Sequence, residues 1–330
     1  MYFQTTRRSL LKQAAFFGAS AGMPGLWSRT AAAAGAPSPA SYAAEAAKRI
    51  EAAKQKAGAM ETLRIGSTEV LAILDSAGAF PVSLFAQADA HPEWTAYMPD
   101  GRFPSAVRTY VIRSGGRTAL VDAGYGEAKG GRLMKCLAAL GIAPESVSDV
   151  LLTHLHGDHI GGLLLADGRP AFPKARLHLS APEWEAWIEK GSEGVPAAVE
   201  AARRTFAAYE AAGIKAQRFS FGDAVLPGVV AQACCGHTAG HARFDVMAPD
   251  GKAAALVIAG DFLHVQPLQS RYPSASTRYD VHPEEAARTR EALLKSLAAS
   301  GTPVAGMHFA FIGRVKALEG GGYAIEPAAL

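Results

Sequence analysis

Four side chains of the types that bind metal ions lie within six residues of one another in the stretch 153–162. His154 and His156 are two residues apart, so at the end of an extended strand both imidazoles project to one side. Asp158 and His159 then face the same space from the first turn of a helix. A lone histidine is usually a packing or surface residue, whereas this His-x-His-x-Asp-His pattern before a glycine pair predicts a metal site.

Two metal ions need more ligands than this short stretch supplies, so further side chains must come from elsewhere in the chain. Three candidates, His237, Asp261 and His308, each close an apolar strand-like segment beside a glycine. At such a strand end a side chain can reach the rim on which the first four converge. Cys235 is a further candidate as a soft thiolate ligand, although a packed strand cysteine is the favoured interpretation.

The elements that must position these residues alternate between strands and helices. An irregular, proline-containing segment is expected at 81–104. Strands are predicted at 62–65, 70–74, 106–112, 118–121, 149–153, 176–179, 229–235, 241–247 and 253–258, and helices at 41–56, 131–140, 182–189, 196–212 and 283–300. This order predicts an α/β protein with two similar β-rich halves and helices on the outside.

The first 34 residues are typical of an export signal. Arg7 and Arg8 are followed by Ser-Leu-Leu-Lys, a short apolar region and an alanine run. The paired arginines resemble the twin-arginine signal, which predicts export by the twin-arginine machinery to the periplasm. Cleavage is expected near Ala33 or Ala34, with no stable membrane anchor afterwards. Residues 35–60 are then a linker and a surface helix.

Composition excludes several classes of function. The chain has 330 residues, 49% of them hydrophobic, which is enough for a large core. Its formal net charge of +3 comes from the first forty residues, which hold four basic residues and no acid. No basic patch therefore argues for a nucleic-acid partner. Of the three cysteines two are adjacent, which argues against a disulfide framework.

With these residues assembled, the chain from Glu61 to Pro327 resembles the metallo-β-lactamase superfamily, and residues 61–330 form the expected hydrolase domain. The resemblance implies a four-layer αββα sandwich. It also implies one metal ion at His154, His156 and His237, another at Asp158, His159 and His308, and Asp261 bridging the two. At matching positions Asp122 supports the loop below the metals, and His241 lies beside the ligands without binding.

Within the superfamily the chain is similar to methyl parathion hydrolase and related exported hydrolases, at motifs such as Gly236–His241, Gly260-Asp261 and His308–Gly313. This similarity implies a dinuclear hydrolase in which a metal-bridging hydroxide attacks an ester-like bond of an apolar lactone, aryl ester or phosphotriester. Asp261 would orient that nucleophile and carry its proton. Zinc is the expected metal, and manganese, cobalt or iron would also suit the site.

Two other functions remain open at this point. One is thiolester hydrolysis of the glyoxalase II kind, and the other is metal or ligand binding without turnover. His264, three residues after Asp261, is a candidate for a supporting role. The oligomeric state is open, a dimer included. Candidates for an apolar entrance, each with core packing as its alternative, are Trp184, Trp187, Phe206, Tyr209, Phe309 and Phe311.

Overall fold

Two seven-stranded sheets form the centre of the protein, as shown by a computed structural model that describes residues 38–55 and 59–329. The predicted export signal at 1–34 lies outside the described residues. The first sheet contains β1 to β7 and the second β8 to β14, each in chain order. Their strands are Ala59–Ile65, Thr68–Pro81, Arg102–Ser114, Arg117–Val121, Asp149–Leu151, Arg176–Ser180, Gln217–Phe219, Ala224–Leu226, Val229–Ala233, Ala242–Met247, Ala254–Ile258, Val304–Ala305, Gly313–Ala317 and Tyr323–Pro327.

Within the described residues, seven α-helices connect or cover these strands. In chain order, α1 to α7 are Pro39–Gln55, Leu133–Ala139, Gly157–Ile160, Ala181–Trp184, Pro196–Ala211, Gln266–Arg271 and Pro283–Ser300. A π-helical turn, Glu185–Lys190, continues α4. Several helices begin with a proline in their first turn, where its missing N–H is not needed.

The run Val70–Leu74 shows why both faces of the first sheet are apolar. Val70 and Ala72 pack between the two sheets, whereas the alternate residues Leu71 and Ile73 pack against the helices on the other face. Because successive side chains of a strand point to opposite faces, a strand covered on both sides becomes a continuous apolar run. The second sheet is covered likewise by α1 and α7. The predicted four-layer αββα sandwich is confirmed.

The differences from the predicted elements are concentrated in short or irregular pieces. The strands β7, β8, β13 and β14 were not predicted, because each is a short segment without an extended apolar run. The strand β12 was expected only as the apolar, strand-like segment before His308. The segment expected to be irregular at 81–104 is a series of 3₁₀ turns between two long strands. Helix α1 buries one face, including Tyr42 and Ile50, so it packs on the fold rather than lying free on its surface.

Strand direction brings chemically distinct segments to one edge of the sandwich. The strands β4, β5 and β6 run parallel, as do β11 and β12 of the second sheet. The carboxyl ends of parallel strands meet at the same sheet edge, which is where open α/β sheets bind ligands. Asp122, the stretch 154–159 and Glu183 follow the first three strands, and Asp261 and His308 follow the other two. Among the described residues, no helix has the length and apolarity to cross a membrane.

The opposite end of β5 carries a buried carboxylate that does not face this edge. Asp149 is fully buried and accepts hydrogen bonds from Arg117 Nε at 2.8 Å, His178 Nε2 at 2.8 Å and Arg176 Nε at 3.1 Å. Burial alone would raise its pKa, but the hydrogen bonds from His178, Ser148 and Arg117 outweigh burial and hold the pKa of Asp149 below its usual range. The charged form is therefore the one that stabilises the fold.

We expect Asp149→Asn to lower the free energy of unfolding by roughly 2 kcal/mol at pH 7, because it removes the buried charge that Arg117 and Arg176 contact from their partly exposed positions. The native pKa is depressed, so the stabilisation is present above the unfolded value, 3.8, and is lost as the pH falls below it. Urea unfolding from pH 7 to pH 2 should show the difference between wild type and variant shrinking below about pH 4. A difference that is constant with pH would contradict this assignment.

Candidate metal centre

All seven predicted ligands meet at the common sheet edge, in two clusters that share one carboxylate. One cluster is His154, His156, His237 and Asp261, and the other is Asp158, His159, His308 and Asp261. Within each cluster the potential ligand atoms lie within 4.8 Å of one another. Distances from Asp261 Oδ2 to histidine Nε2 atoms are 3.0 Å for His308, 3.2 Å for His159, 3.5 Å for His237 and His264, and 3.8 Å for His154.

Hydrogen bonds on the outer side of the rings set which nitrogen faces the centre. His159 Nδ1 lies 2.6 Å from Asp122 Oδ2, His237 Nδ1 lies 2.9 Å from Asp280 Oδ1, and His308 Nδ1 lies 3.0 Å from the carbonyl oxygen of Ala106. With the outer nitrogen held in this way, each Nε2 is directed inwards. Carboxylate or carbonyl partners of this kind orient metal-binding imidazoles and increase their basicity.

The buried polar atoms at the centre fit divalent cations. His154 Nε2 and Asp261 Oδ1 are buried without a hydrogen-bond partner, and His156 Nδ1 and His237 Nε2 face each other at 3.0 Å. Buried polar atoms without partners are rare because they cost free energy. Imidazole nitrogens with carboxylate oxygens are the usual ligands of zinc and related ions, so this donor set suits a two-metal site.

Electrostatics in the protein alone lead to the same conclusion. Burial would raise the pKa of Asp261, but the neighbouring His159 and His308 outweigh burial and hold it well below its usual range. Conversely, burial would lower the pKa of these two histidines, and Asp261 together with Asp158 raises it. Burial and then neighbouring histidines lower the pKa of His154 well below 6.5. Without a metal ion, protons on His159 and His308 thus balance the charge of Asp261, while His154 stays unprotonated. A divalent cation bound there would displace those protons and be bound by neutral imidazoles and ionised carboxylates.

Two further histidines, His241 and His264, lie beside the two clusters without belonging to either. His241 is buried with its Nε2 accepting from the backbone N–H of Asp261 at 3.0 Å, which places it beside the ligands and not among them. Burial lowers its pKa to about 3, so it remains a neutral acceptor. His264 stacks on His308 at 4.7 Å between ring centroids, and its Nδ1 has no partner. Cys235 belongs to neither cluster, and its thiol contacts the carbonyl of His241.

Most of the aromatic residues considered for the entrance are core residues. Tyr209, Phe309 and Phe311 are at most 1% exposed and pack in the cores on the helical faces of the sheets. Phe206 packs with Trp184 on the outer side, 5.2 Å between ring centroids. Of this group, Trp187 contacts a ligand, with its ring edge-on to His156 at 5.6 Å.

Two aromatic residues beside the centre were missed in the sequence. Phe80 lies 5.0 Å from the ring of His308 and 5.5 Å from His264, and Tyr279 lies 5.8 Å from His264. Phe80 lies near the end of β2, beyond the strand predicted at 70–74, and Tyr279 lies in the loop before α7. No periodic signal marks such positions, because only the folded chain brings them to the ligands.

A buried ion pair supports His237 and was also missed. Asp280 Oδ2 accepts from Arg290 Nη2 at 3.1 Å while Oδ1 faces His237 Nδ1. Arg290, on α7, donates in addition to the carbonyls of Phe262 and Pro273. Burial alone would raise the pKa of Asp280, but the hydrogen bond and charge of His237, followed by the charge of Arg290, lower it. An ionised carboxylate therefore fixes the ring of His237.

The glycine pair after the ligand motif allows close contact between two loops. A Cβ on Gly162 would lie 2.0 Å from the carbonyl oxygen of Ala123, in the loop that begins with Asp122. We expect Gly162→Ala to lower the free energy of unfolding by about 3 kcal/mol, since backbone must move to admit the methyl group. Gly157→Ala is the matched control: its Cβ would meet one atom, Lys129 Nζ at 3.8 Å, and should change stability by less than about 0.5 kcal/mol. Equal effects in denaturant unfolding of the metal-free proteins would refute this explanation.

A sandwich of two mixed sheets with two His/Asp clusters at one sheet edge defines a class of metal-binding hydrolases. The sequence model of the metallo-beta-lactamase superfamily matches residues 102–301, and the chain belongs to this superfamily. Among solved structures, AbOPH, described as a hydrolase in the beta lactamase superfamily, is 27% identical with a TM-score of 0.73. The match covers 83% of this chain and 98% of AbOPH.

Two other similarities are more distant or more local. AidC, described as a dizinc quorum-quenching lactonase, is 20% identical with a TM-score of 0.73 over 83% of this chain and 98% of its own, which shows the shared fold. Ribonuclease Z of Mycolicibacterium gilvum (strain PYR-GCK) is 41% identical over 66 residues, which are 20% of this chain and 20% of that protein. The chain therefore matches about a fifth of the length of this curated relative.

Proposed function

We propose that this protein hydrolyses ester-like bonds of small apolar substrates with two divalent metal ions. The observation that carries the proposal is the position of Asp261, whose Oδ2 lies between the two clusters and within 3.8 Å of histidines of both. A pair of divalent cations bound there would activate water as the nucleophile and polarise the bond that is cleaved. Zinc is the preferred ion, with manganese, cobalt or iron as alternatives.

Residues of the chain would transfer the proton, hold the histidine rings and limit water at the centre. Asp261 Oδ1 has no hydrogen-bond partner and is free to accept a proton from the attacking water and deliver it to the leaving group. Asp122 and Asp280 hold the rings of His159 and His237 from outside and so keep the geometry fixed through the reaction. Phe80 and Trp187, packed on His308 and His156, limit water around the centre.

The surface around the centre favours an apolar substrate over a polyanion. Within the described part of the chain, the exposed large hydrophobic residues are Val195, Tyr279 and Val281. Tyr279 and Val281 flank Asp280, the partner of His237, and the backbone N–H of Val281 donates to the carbonyl of His237. An RNA substrate would need basic contacts to phosphates instead.

A substrate panel tests the proposal. Protein comprising residues 35–330, loaded with zinc, manganese or cobalt, is assayed on lactones, aryl esters, phosphotriesters, thioesters and a structured RNA. We expect the oxygen esters or lactones to give the highest kcat/KM. A preference for thioesters would support the glyoxalase II-like alternative, RNA cleavage would support a nuclease, and no turnover with both metals bound would favour a binding protein.

We also propose that the protein works in the periplasm after twin-arginine export. The proposal is supported by Arg7, Arg8 and the apolar and alanine-rich residues that follow. Replacing both arginines with lysine should retain the protein in the cytoplasm on cell fractionation. Unchanged periplasmic recovery of the variant would contradict this route.

A further inference from the structure

Glu183 is a fully buried carboxyl group that accepts hydrogen bonds from the two chain segments that supply the histidines of one cluster. This cluster, His154, His156, His237 and Asp261, is termed the three-histidine cluster. Its Oε1 accepts from the backbone N–H of Leu155 at 3.1 Å. Its Oε2 accepts from the hydroxyl of Thr238 at 2.7 Å and from the backbone N–H of Gly240 at 2.9 Å. Glu183 is not a ligand of either cluster, and no step of the proposed reaction uses it.

These three donors belong to the two chain segments that build the three-histidine cluster. Leu155 lies between His154 and His156 after β5 of the first sheet, whereas Thr238 follows His237 in the loop between β9 and β10 of the second sheet. One carboxylate thus joins a ligand segment of each sheet. The loop after His237 also packs backbone to backbone on α4, since a Cβ on Gly240 would lie 2.0 Å from the nitrogen of Glu183.

Glu193 holds the same loop from its other side. The backbone N–H of Ala239 lies 3.0 Å and 3.1 Å from its two carboxylate oxygens, and its Oε1 also lies 3.0 Å from His282 Nε2. The loop that follows His237 is therefore fixed by two buried acids through successive residues. The histidines of the second cluster have other supports: His159 is held by Asp122, and His308 by the carbonyl of Ala106.

We propose that Glu183 is a positioning residue that sets the distance between the His154–His156 segment and His237, and thereby the affinity of the three-histidine cluster for a divalent cation. The inference rests on the metal centre of the proposed function, but it concerns binding and requires no turnover. It therefore remains testable if the substrate class proposed above is wrong.

The donors around Glu183 match a carboxyl group and not an amide. Burial raises the pKa of Glu183 to about 8, so the group is largely protonated near neutral pH, and the Thr238 hydroxyl can then donate or accept. In either form one carboxyl oxygen accepts from the backbone N–H of Leu155 and the other from that of Gly240. In Glu183→Gln, the single amide oxygen can serve either Leu155 or the pair Thr238 and Gly240. The amide N–H₂ then faces the remaining donor, so the link between the two segments is lost while the side chain keeps its size.

Cobalt titration of the metal-stripped protein tests the proposal, because the visible spectrum of Co²⁺ reports each site without substrate. We expect Glu183→Gln to weaken binding at the three-histidine cluster by roughly 10- to 100-fold and to leave the other cluster near wild type. Asp158→Asn alters the other cluster and leaves the three-histidine cluster intact. Glu183→Gln in this background therefore shows which of the two bound cobalt ions is weakened. Thr238→Val, which removes one of the three hydrogen bonds, should weaken cobalt binding at the same cluster by a smaller factor. It replaces Glu183→Gln in the test if that variant does not fold.

Asp149→Asn is the matched control, since it also replaces a fully buried carboxyl group that accepts several hydrogen bonds but lies at the far end of β5. It should lower the melting temperature and leave both cobalt affinities unchanged. If folded Glu183→Gln and Thr238→Val bind two equivalents of cobalt with wild-type affinity and spectrum, the positioning role is wrong and Glu183 is structural only. An equal loss at both clusters would also overturn it.

Discussion

Asp261→Ala is expected to lower kcat/KM by roughly 10³- to 10⁴-fold on whichever ester-like substrate the wild type hydrolyses best. The side chain has two functions that no neighbour can replace. Its Oδ2 is shared by both clusters, and its unpartnered Oδ1 is the proposed site of proton transfer. Steady-state kinetics at saturating metal, together with metal analysis, measures the effect. We expect fewer than two equivalents of metal in the variant, because the shared ligand is lost.

A control and a contrary result make this prediction specific. Asp245→Ala removes an acid of β10 that pairs with Arg243 at 2.9 Å and belongs to neither cluster, so its kinetics should stay within about two-fold of wild type. If Asp261→Ala retained two metals and more than a tenth of the activity, Asp261 would be neither the bridge nor the proton carrier. Circular dichroism of both variants distinguishes loss of chemistry from loss of fold.

The ligands were accessible from sequence because their signal is local. His154, His156, Asp158 and His159 lie within six residues, and strand-then-helix geometry alone directs them to one space. His237, Asp261 and His308 were found because each ends an apolar segment beside a glycine. The structure places all seven in two clusters, a juxtaposition that spacing alone could not establish for the last three.

The supporting residues could not be predicted, since their roles arise only when distant segments meet. Glu183 and Asp280 belong to no ligand motif. Their hydrogen-bond partners in the ligand loops are 28 to 57 residues away in the sequence. Phe80 likewise reaches His308 from the other end of the chain. Core packing, by contrast, was the correct interpretation for Phe309 and Phe311, whose side chains face away from the ligand rim.

The length of an element likewise explains which parts of the fold were predicted and which strands were not. Long, regularly patterned elements such as α7 were placed correctly, because 18 residues at helical spacing leave little ambiguity. The two-residue strand β12 was expected only as the apolar segment before His308, and its parallel pairing with β11 could not be predicted from so short a pattern. That pairing carries His308 to the sheet edge, so the sequence indicated the residue but not the contact that positions it.

Removing the metals is expected to abolish hydrolysis and to lower the melting temperature by about 6–16 °C. Ions present at 100 to 1,000 times their dissociation constant stabilise the native state by about 3–4 kcal/mol, and each kcal/mol shifts the melting temperature of a chain this size by about 2–4 °C. Differential scanning calorimetry and activity are followed during chelation and zinc return. Far-UV circular dichroism should change little, because the cores on both faces of the sheets do not include the ligands.

Full activity with less than a tenth of an equivalent of metal would refute the two-metal mechanism. A fall in melting temperature without recovery of activity on zinc return would instead point to a different native ion, since zinc can fill the same ligands without supporting the reaction.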